Sequence, residues 1–264
     1  MMTRKDMESM TKPLYVRSIP LGDGMPKVCV PLTGETLPEV VREAGKAAEA
    51  GADLIEWRMD FLKEPCREDS LEEALFMISA AAPDTPLIFT IRTRAEGGNI
   101  DLTEHEYASL NQTAAESGKA DLIDVEYERD PAAMELLIRK IGRLGALTIA
   151  STHDFSGTED DETLLQTFRD LDASGADIIK MAVMPECESD TDRLMECTRR
   201  ASSEITEKPV IAMAMGENGV KSRIEGEIFG SSVTFGTTGR ASAPGQLPVR
   251  ELKEKLEEIH RQVT

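Results

Sequence analysis

A chain of 264 residues with 40 % hydrophobic and 30 % charged side chains has room for one large core or two small ones. Its formal net charge of −19 argues against nucleic acid or a membrane surface as partner, and it would repel an anionic substrate unless a local group of arginines holds it. Four cysteines without a CxxC pair, and with no metal-ligand spacing to the three histidines, point to reduced thiols in a cytoplasmic protein.

Residues 1–12 are polar, lack the apolar stretch of a signal peptide, and are expected to be disordered. Leu14 to Ile19 alternates weakly and precedes the turn signal Gly22-Asp23-Gly24, which suggests a short hairpin outside the main architecture. A regular series follows. Buried strands are expected at Val28–Leu32, Ala52–Asp60, Leu87–Arg92, Ala120–Tyr127, Leu147–His153, Ala176–Met184, Pro209–Met215 and Ser232–Gly236. Helical patterns fall between and after them, over 37–50, 70–82, 103–117, 131–144, 160–173, 189–202, 219–228 and 248–262. No apolar run approaches the length of a bilayer span.

Three units open alike, with Ala-Asp-Leu-Ile at 52 and 120 and Ala-Asp-Ile-Ile at 176. Strict alternation of strand and helix implies a parallel sheet with helices outside, and eight units is the count that closes an α/β barrel of the (β/α)8 TIM type. The whole of 1–264 then forms one domain. An open doubly wound sheet is the alternative, but Pro31-Leu32-Thr33-Gly34-Glu35-Thr36 after the first strand of the series is no GxGxxG phosphate loop.

Residues two apart in a strand share a face. By that rule Glu56 pairs with Arg58, Thr90 with Arg92, Asp124 with Glu126, Ser151 with His153, and Met213 with Met215. Lys180 lies in the middle of an apolar strand. It is either a lysine whose stem is buried and whose head reaches water, or an amine whose burial lowers its pKa and makes it a nucleophile for ketones. Each residue has a plainer reading: a Glu–Arg pair can be structural, a lone histidine is usually satisfied in place, and methionines usually pack. Seven charged or titratable residues late in five strands are harder to explain as packing, because buried charge is kept when it is paired or used. The carboxyl ends of barrel strands meet at one mouth, so these residues are expected to share a cavity.

The carrying motifs are Glu56-Trp57-Arg58-Met59-Asp60, Phe89-Thr90-Ile91-Arg92 with Glu96-Gly97-Gly98, Ser151-Thr152-His153-Asp154-Phe155, Ile179-Lys180-Met181-Ala182, Met213-Ala214-Met215-Gly216, Ser222-Arg223 and Ala241-Ser242-Ala243-Pro244-Gly245-Gln246. In these, and in their order, the sequence resembles the type I 3-dehydroquinate dehydratases of the shikimate pathway. The resemblance implies a barrel with no metal and no cofactor, with the N-terminal hairpin over its far end, that converts 3-dehydroquinate to 3-dehydroshikimate and water, commonly as a homodimer. It implies that Lys180 forms the Schiff base, that His153 is the general acid and base, and that Glu96 assists His153. It gives Arg223, Ser242 and Gln246 to the substrate carboxylate, the last two on a closing loop. Glu56, Arg58 and Arg92 go to the ring hydroxyls, and Met213 and Phe235 to the lining of the substrate site.

The chemistry asks for such a set. An imine is a stronger electron sink than a ketone, and its formation needs a neutral amine, which nearby arginines and apolar neighbours are expected to favour at Lys180. A histidine can both take a proton beside the imine and return one to a leaving hydroxyl. Two rival readings are another lysine-imine barrel acting on a different keto acid, and a barrel that only binds an anion.

Overall fold

Turns at the ends of the helices feed apolar strands, and the strands pair side by side in the order in which they occur. The structure is a computed structural model and describes residues 11–239 and 245–264. After a short hairpin of β1 (Leu14–Val16) and β2 (Ile19–Leu21) come β3 (Lys27–Leu32), β4 (Leu54–Arg58), β5 (Leu87–Thr90), β6 (Leu122–Glu126), β7 (Leu147–Asp154), β8 (Ile178–Val183), β9 (Val210–Ala214) and β10 (Val233–Phe235). The helices are α1 (Leu37–Glu49), α2 (Glu68–Ala81), α3 (Glu104–Glu116), α4 (Pro131–Arg143), α5 (Asp161–Ala173), α6 (Glu188–Arg200), α7 (Val220–Ile224), α8 (Gly226–Phe229) and α9 (Val249–Val263).

Strands β3 to β9 pair in sequence order, all parallel, and β10 pairs with β3. The remaining seam, between β9 and β10, is drawn together by an isolated bridge from Val210 to Ser231, with the Ser232 N–H donating to the Val210 carbonyl at 2.7 Å. This is the eight-stranded (β/α)8 barrel, and the open-sheet alternative is excluded.

The repeated aspartate has a physical role in this architecture. At each strand entry its backbone N–H donates to the carbonyl of the preceding strand's first turn of ladder, and its carboxylate accepts from that strand's N–H. Asp53 clamps Val28, Asp121 clamps Leu87 and Asp177 clamps Thr148, with carboxylate contacts of 2.7, 2.8 and 2.8 Å. The repeat is therefore a set of strand-to-strand staples at the amino-terminal end of the barrel.

The inward positions form layers. The lowest is Cys29, Leu54, Ile88, Leu122, Ile149, Ile178, Ile211 and Val233, and Val16 and Leu21 of the hairpin cap it. On the outer face, residues such as Trp57, Phe89, Ile123 and Ile179 join the helices in the larger core. The hairpin thus covers the far end, but its turn is not at Gly22-Asp23-Gly24. The strands reverse at Arg17-Ser18, where Arg17 has φ +53°. The guanidinium of Arg17 binds Asp121 at 2.7 and 2.9 Å and the Pro83 carbonyl at 2.6 Å, which holds that uncommon backbone in place and ties the cap to the barrel.

Three other expectations change. Residues 1–10 lie outside the described part, but Lys12 of the expected disordered start is paired with Glu207. The strand expected to reach Arg92 stops at Thr90, because the Arg92 N–H turns to Asp60 instead of the ladder. The single helix expected over 219–228 is two short ones parted at Glu225 (φ −97°, ψ 16°). There Gly226 passes so close to Pro26 that a Cβ would meet its ring at 2.6 Å.

Candidate active site

Two residues above the apolar layer, the same inward positions carry Glu56, Thr90, Asp124, Ser151, Lys180, Met213 and Phe235; four residues above it come Arg58, Arg92, Glu126 and His153. A cavity of about 170 Å³ opens at this carboxyl end of the strands. Glu56, Arg58, Arg92, Glu96, His153, Lys180, Met213, Arg223, Phe235 and Gln246 all line it. Ser242 lies outside the described residues.

Lys180 is 4 % exposed, so its head does not reach bulk water. Its Nζ donates to Asp124 Oδ2 at 2.9 Å and to Glu56 Oε1 at 3.3 Å, and stands 5.1 Å from the centroid of the Phe235 ring. Burial by itself disfavours the ammonium, but Asp124 and then Glu56 outweigh it, and the pKa is raised. This corrects the expectation of a lysine held neutral by arginines and apolar neighbours. The resting amine is a charged one, caged by two carboxylates and an aromatic face.

Asp124 is the centre of this network. Its Oδ1 accepts from Arg92 Nη2 at 2.7 Å and from Ser151 Oγ at 2.6 Å while Oδ2 holds the lysine. Burial would raise its pKa, yet Arg92 and Lys180 prevail and hold it far below the usual carboxylate range. Arg92 also reaches Glu126 at 3.1 Å and Glu96 at 3.3 Å, and Glu126 accepts the N–H and the hydroxyl of Thr93. Arg92 thus holds three protein carboxylates while it borders the cavity. Arg58 is likewise paired, bidentate to Asp60 at 2.8 Å, and Asn99 braces Asp60 at 3.0 Å.

His153 Nδ1 lies 2.8 Å from Glu96 Oε2. Burial, then Arg92 and Lys180, push the imidazole well below its ordinary value. Burial pushes the Glu96 carboxyl up to about 8, against Arg92, with Glu126 and Asp124 adding to the rise. At neutral pH the pair therefore has a proton between carboxyl and imidazole and a second on the far ring nitrogen. In that form it donates; one proton fewer makes it a base.

Local backbone explains how Glu96 gets there. The chain after β5 makes one tight turn at Arg94–Glu96, closed by Gly97 at φ +77° and by Gly98 N–H donating to Thr93 at 2.7 Å. A Cβ on Gly97 would sit 2.3 Å from the Phe155 ring, and one on Gly98 1.9 Å from the Arg92 carbonyl. Only two glycines let the turn pass between that ring and that strand end.

Arg223 is delivered by α7. Ser222 Oγ accepts from the Ala214 N–H at 2.9 Å, and Thr234 Oγ1 donates to the Arg223 carbonyl at 2.8 Å, so the short helix is pinned to β9 and β10. Arg223 is 1 % exposed, and burial pushes its guanidinium down to about 10. Phe61, Asn99, Phe155, Ala182 and Met215 also line the cavity. Sequence reasoning did not assign the roles of Asp124 and Ser151; the period-two rule placed both on the inward face, and only the distances separate network from lining. Among the described residues no group of three or more His, Cys, Asp or Glu side chains is arranged to hold a metal ion.

Residues 28–263 match the model of the type I 3-dehydroquinase family. The 3-dehydroquinate dehydratase of Bacillus licheniformis is 41 % identical over 96 % of this chain and 99 % of its own. That of Klebsiella pneumoniae is 38 % identical over 94 % and 99 %. Among solved structures, 3-dehydroquinate dehydratase from Geobacillus kaustophilus superposes with a TM-score of 0.93 at 34 % identity, over 97 % of this chain and 100 % of that one. The type I enzyme of Clostridium difficile, solved with covalently modified comenic acid, gives 0.92 at 34 % identity, over 96 % and 100 %.

Proposed function

The chain belongs to the type I 3-dehydroquinase family, and from that premise we propose that it dehydrates 3-dehydroquinate to 3-dehydroshikimate through an imine on Lys180. The observation that carries the reading is one cavity holding a buried lysine amine, a histidine–carboxyl pair and a buried guanidinium, Arg223. The lysine nitrogen adds to the C3 carbonyl carbon, and loss of water leaves a protonated imine. His153 takes a proton from C2, and the electron pair moves into the imine to give an enamine. The enamine expels the C1 hydroxyl, which leaves as water with a proton from His153. Water then cleaves the imine and frees Lys180.

The other groups serve this sequence by position. Arg223 and Gln246, joined by Ser242, hold the substrate carboxylate against the overall charge of −19. Glu56, Arg58 and Arg92 face the ring hydroxyls, Met213 and Phe235 wall the ring, and Arg92 also orders the carboxylates that it binds. We expect a one-domain, cytoplasmic homodimer; sedimentation equilibrium checks the second chain.

His153→Ala is expected to form the imine and to lose dehydration by about 10²–10⁴-fold. Formation of the unsaturated product from 3-dehydroquinate, followed in wild type and variant, is the test. Undiminished product from the variant would remove His153 from its role, and no product from the wild type would remove the substrate.

A further inference from the structure

Lys180 rests as an ammonium, so something must take its proton before it can attack a ketone. The groups that face it are Asp124 from β6, Glu56 from β4, Arg92 beyond β5, His153 from β7 and Cys29 from β3, with the uncharged Phe235 from β10. Two of them accept hydrogen bonds from Nζ, and the two are not alike.

Asp124 is fully buried and does not line the cavity. Arg92 at 2.7 Å and Ser151 at 2.6 Å occupy one oxygen and Lys180 the other. A proton placed there would face a guanidinium that has lost the nearest of its counter-charges. Glu56 borders the cavity. Its Oε1 accepts from Thr90 at 3.0 Å and from Lys180, and Oε2 accepts no hydrogen bond among the described residues. Lys180 is the only cation within 4.0 Å of Glu56 among those residues. A proton on Glu56 therefore strands no arginine.

We propose that Asp124 and Glu56 divide the work on Lys180: Asp124 is a positioning residue that aims the ammonium, and Glu56 is the base that removes its proton as the ketone arrives. The inference rests on the imine reading above. In the step, one N–H bond of the Lys180 ammonium breaks and an O–H bond forms on Glu56. The freed nitrogen pair adds to the carbonyl carbon, and the carbonyl π pair moves to oxygen. That oxygen takes the proton from Glu56; the carbinolamine nitrogen then gives up a second proton, which passes by Glu56 to the same oxygen, and water leaves as the nitrogen pair closes the protonated imine. Glu56 thus ends the step as it began.

Electrostatics and proton transfer predict opposite signs for one variant. If Glu56 only held the charge, Glu56→Gln would lower the Lys180 pKa and speed imine formation near pH 7. If Glu56 is the base, the same variant slows it. The test is rapid quenching with borohydride at saturating 3-dehydroquinate, reading the mass of the reduced adduct against time and pH, with Asp124→Asn as the partner variant.

The expected result for Glu56→Gln is imine formation slower by about 10²-fold or more at pH 7, recovering as pH rises and solvent replaces the carboxylate. In Glu56→Ala, added formate and acetate should restore the rate, acetate more than formate in line with basicity, which a residue that merely holds a ring hydroxyl would not show. Asp124→Asn should shift the pH profile of imine formation downward, because Lys180 loses a counter-charge. Imine formation in Glu56→Gln as fast as in wild type, or faster, overturns the proposal and leaves the imine reading standing. Absence of any Lys180 adduct in the wild type overturns both.

Discussion

Two layers of the same barrel, one two residues above the other, have opposite characters. Leu54, Ile88, Leu122, Ile149 and Ile178 meet in an apolar disc under the hairpin. Glu56, Thr90, Asp124, Ser151 and Lys180, the next inward residues of the same five strands, form a continuous polar chain. The lower layer contributes through area removed from water and depends little on direction. The upper layer depends on direction throughout, since a buried charge is tolerated only when its partners are in place. A strand can therefore supply stability and chemistry within one period of its pleat.

Paired truncations on β6 break this comparison most strongly. Leu122→Ala in the lower layer should cost about 2–5 kcal/mol of stability and leave turnover of the remaining folded protein near wild type. Asp124→Ala, one period higher, should cost about 3–5 kcal/mol, because Arg92 and Lys180 lose a shared counter-charge, and should also cripple turnover. Denaturant melts alongside steady-state rates separate the two. Equal loss of activity in both would mean that the layers are not distinct. The pH dependence has a definite sign: the native pKa of Asp124 lies below its unfolded value. Its contribution is thus full above the unfolded carboxylate range, about 4, and is lost as pH falls toward the native value.

A smaller effect sharpens the upper layer itself. With the Glu96 carboxyl near 8, the form of the Glu96–His153 pair that can take the C2 proton should be gained as pH rises through that value. The kcat profile then has a rising limb near 8, and Glu96→Gln, whose amide does not titrate, should flatten it. A limb unchanged in the variant would assign it to another group. The smallest effect belongs to the cap. Arg17→Ala removes a half-exposed ion pair with Asp121, and should cost under about 1 kcal/mol in a thermal melt, with no change in kcat.

Much of this was legible in the sequence, and for one reason. Period-two alternation in short apolar strands says which residues point inward, so Glu56, Arg58, Asp124, His153 and Lys180 could be set at one mouth from spacing alone. The motifs then fixed the family. What spacing does not carry is distance. Lys180 is raised, not lowered, because Asp124 lies nearer to it than any sequence rule could state. The hairpin turn went to Arg17 rather than to the glycines because tertiary contacts with Asp121 and Pro83 hold an arginine at positive φ. Arg92 read as a substrate ligand; it lines the cavity, and spacing did not show that its guanidinium also holds three carboxylates and a serine.

The central claim is that a single buried amine carries the reaction. It is tested most directly by intact-mass analysis and peptide mapping after borohydride reduction with 3-dehydroquinate, in the wild type and in Lys180→Met. The account predicts one adduct per chain, on Lys180, and none in the variant. An adduct on a different lysine, or full turnover by Lys180→Met, would contradict it.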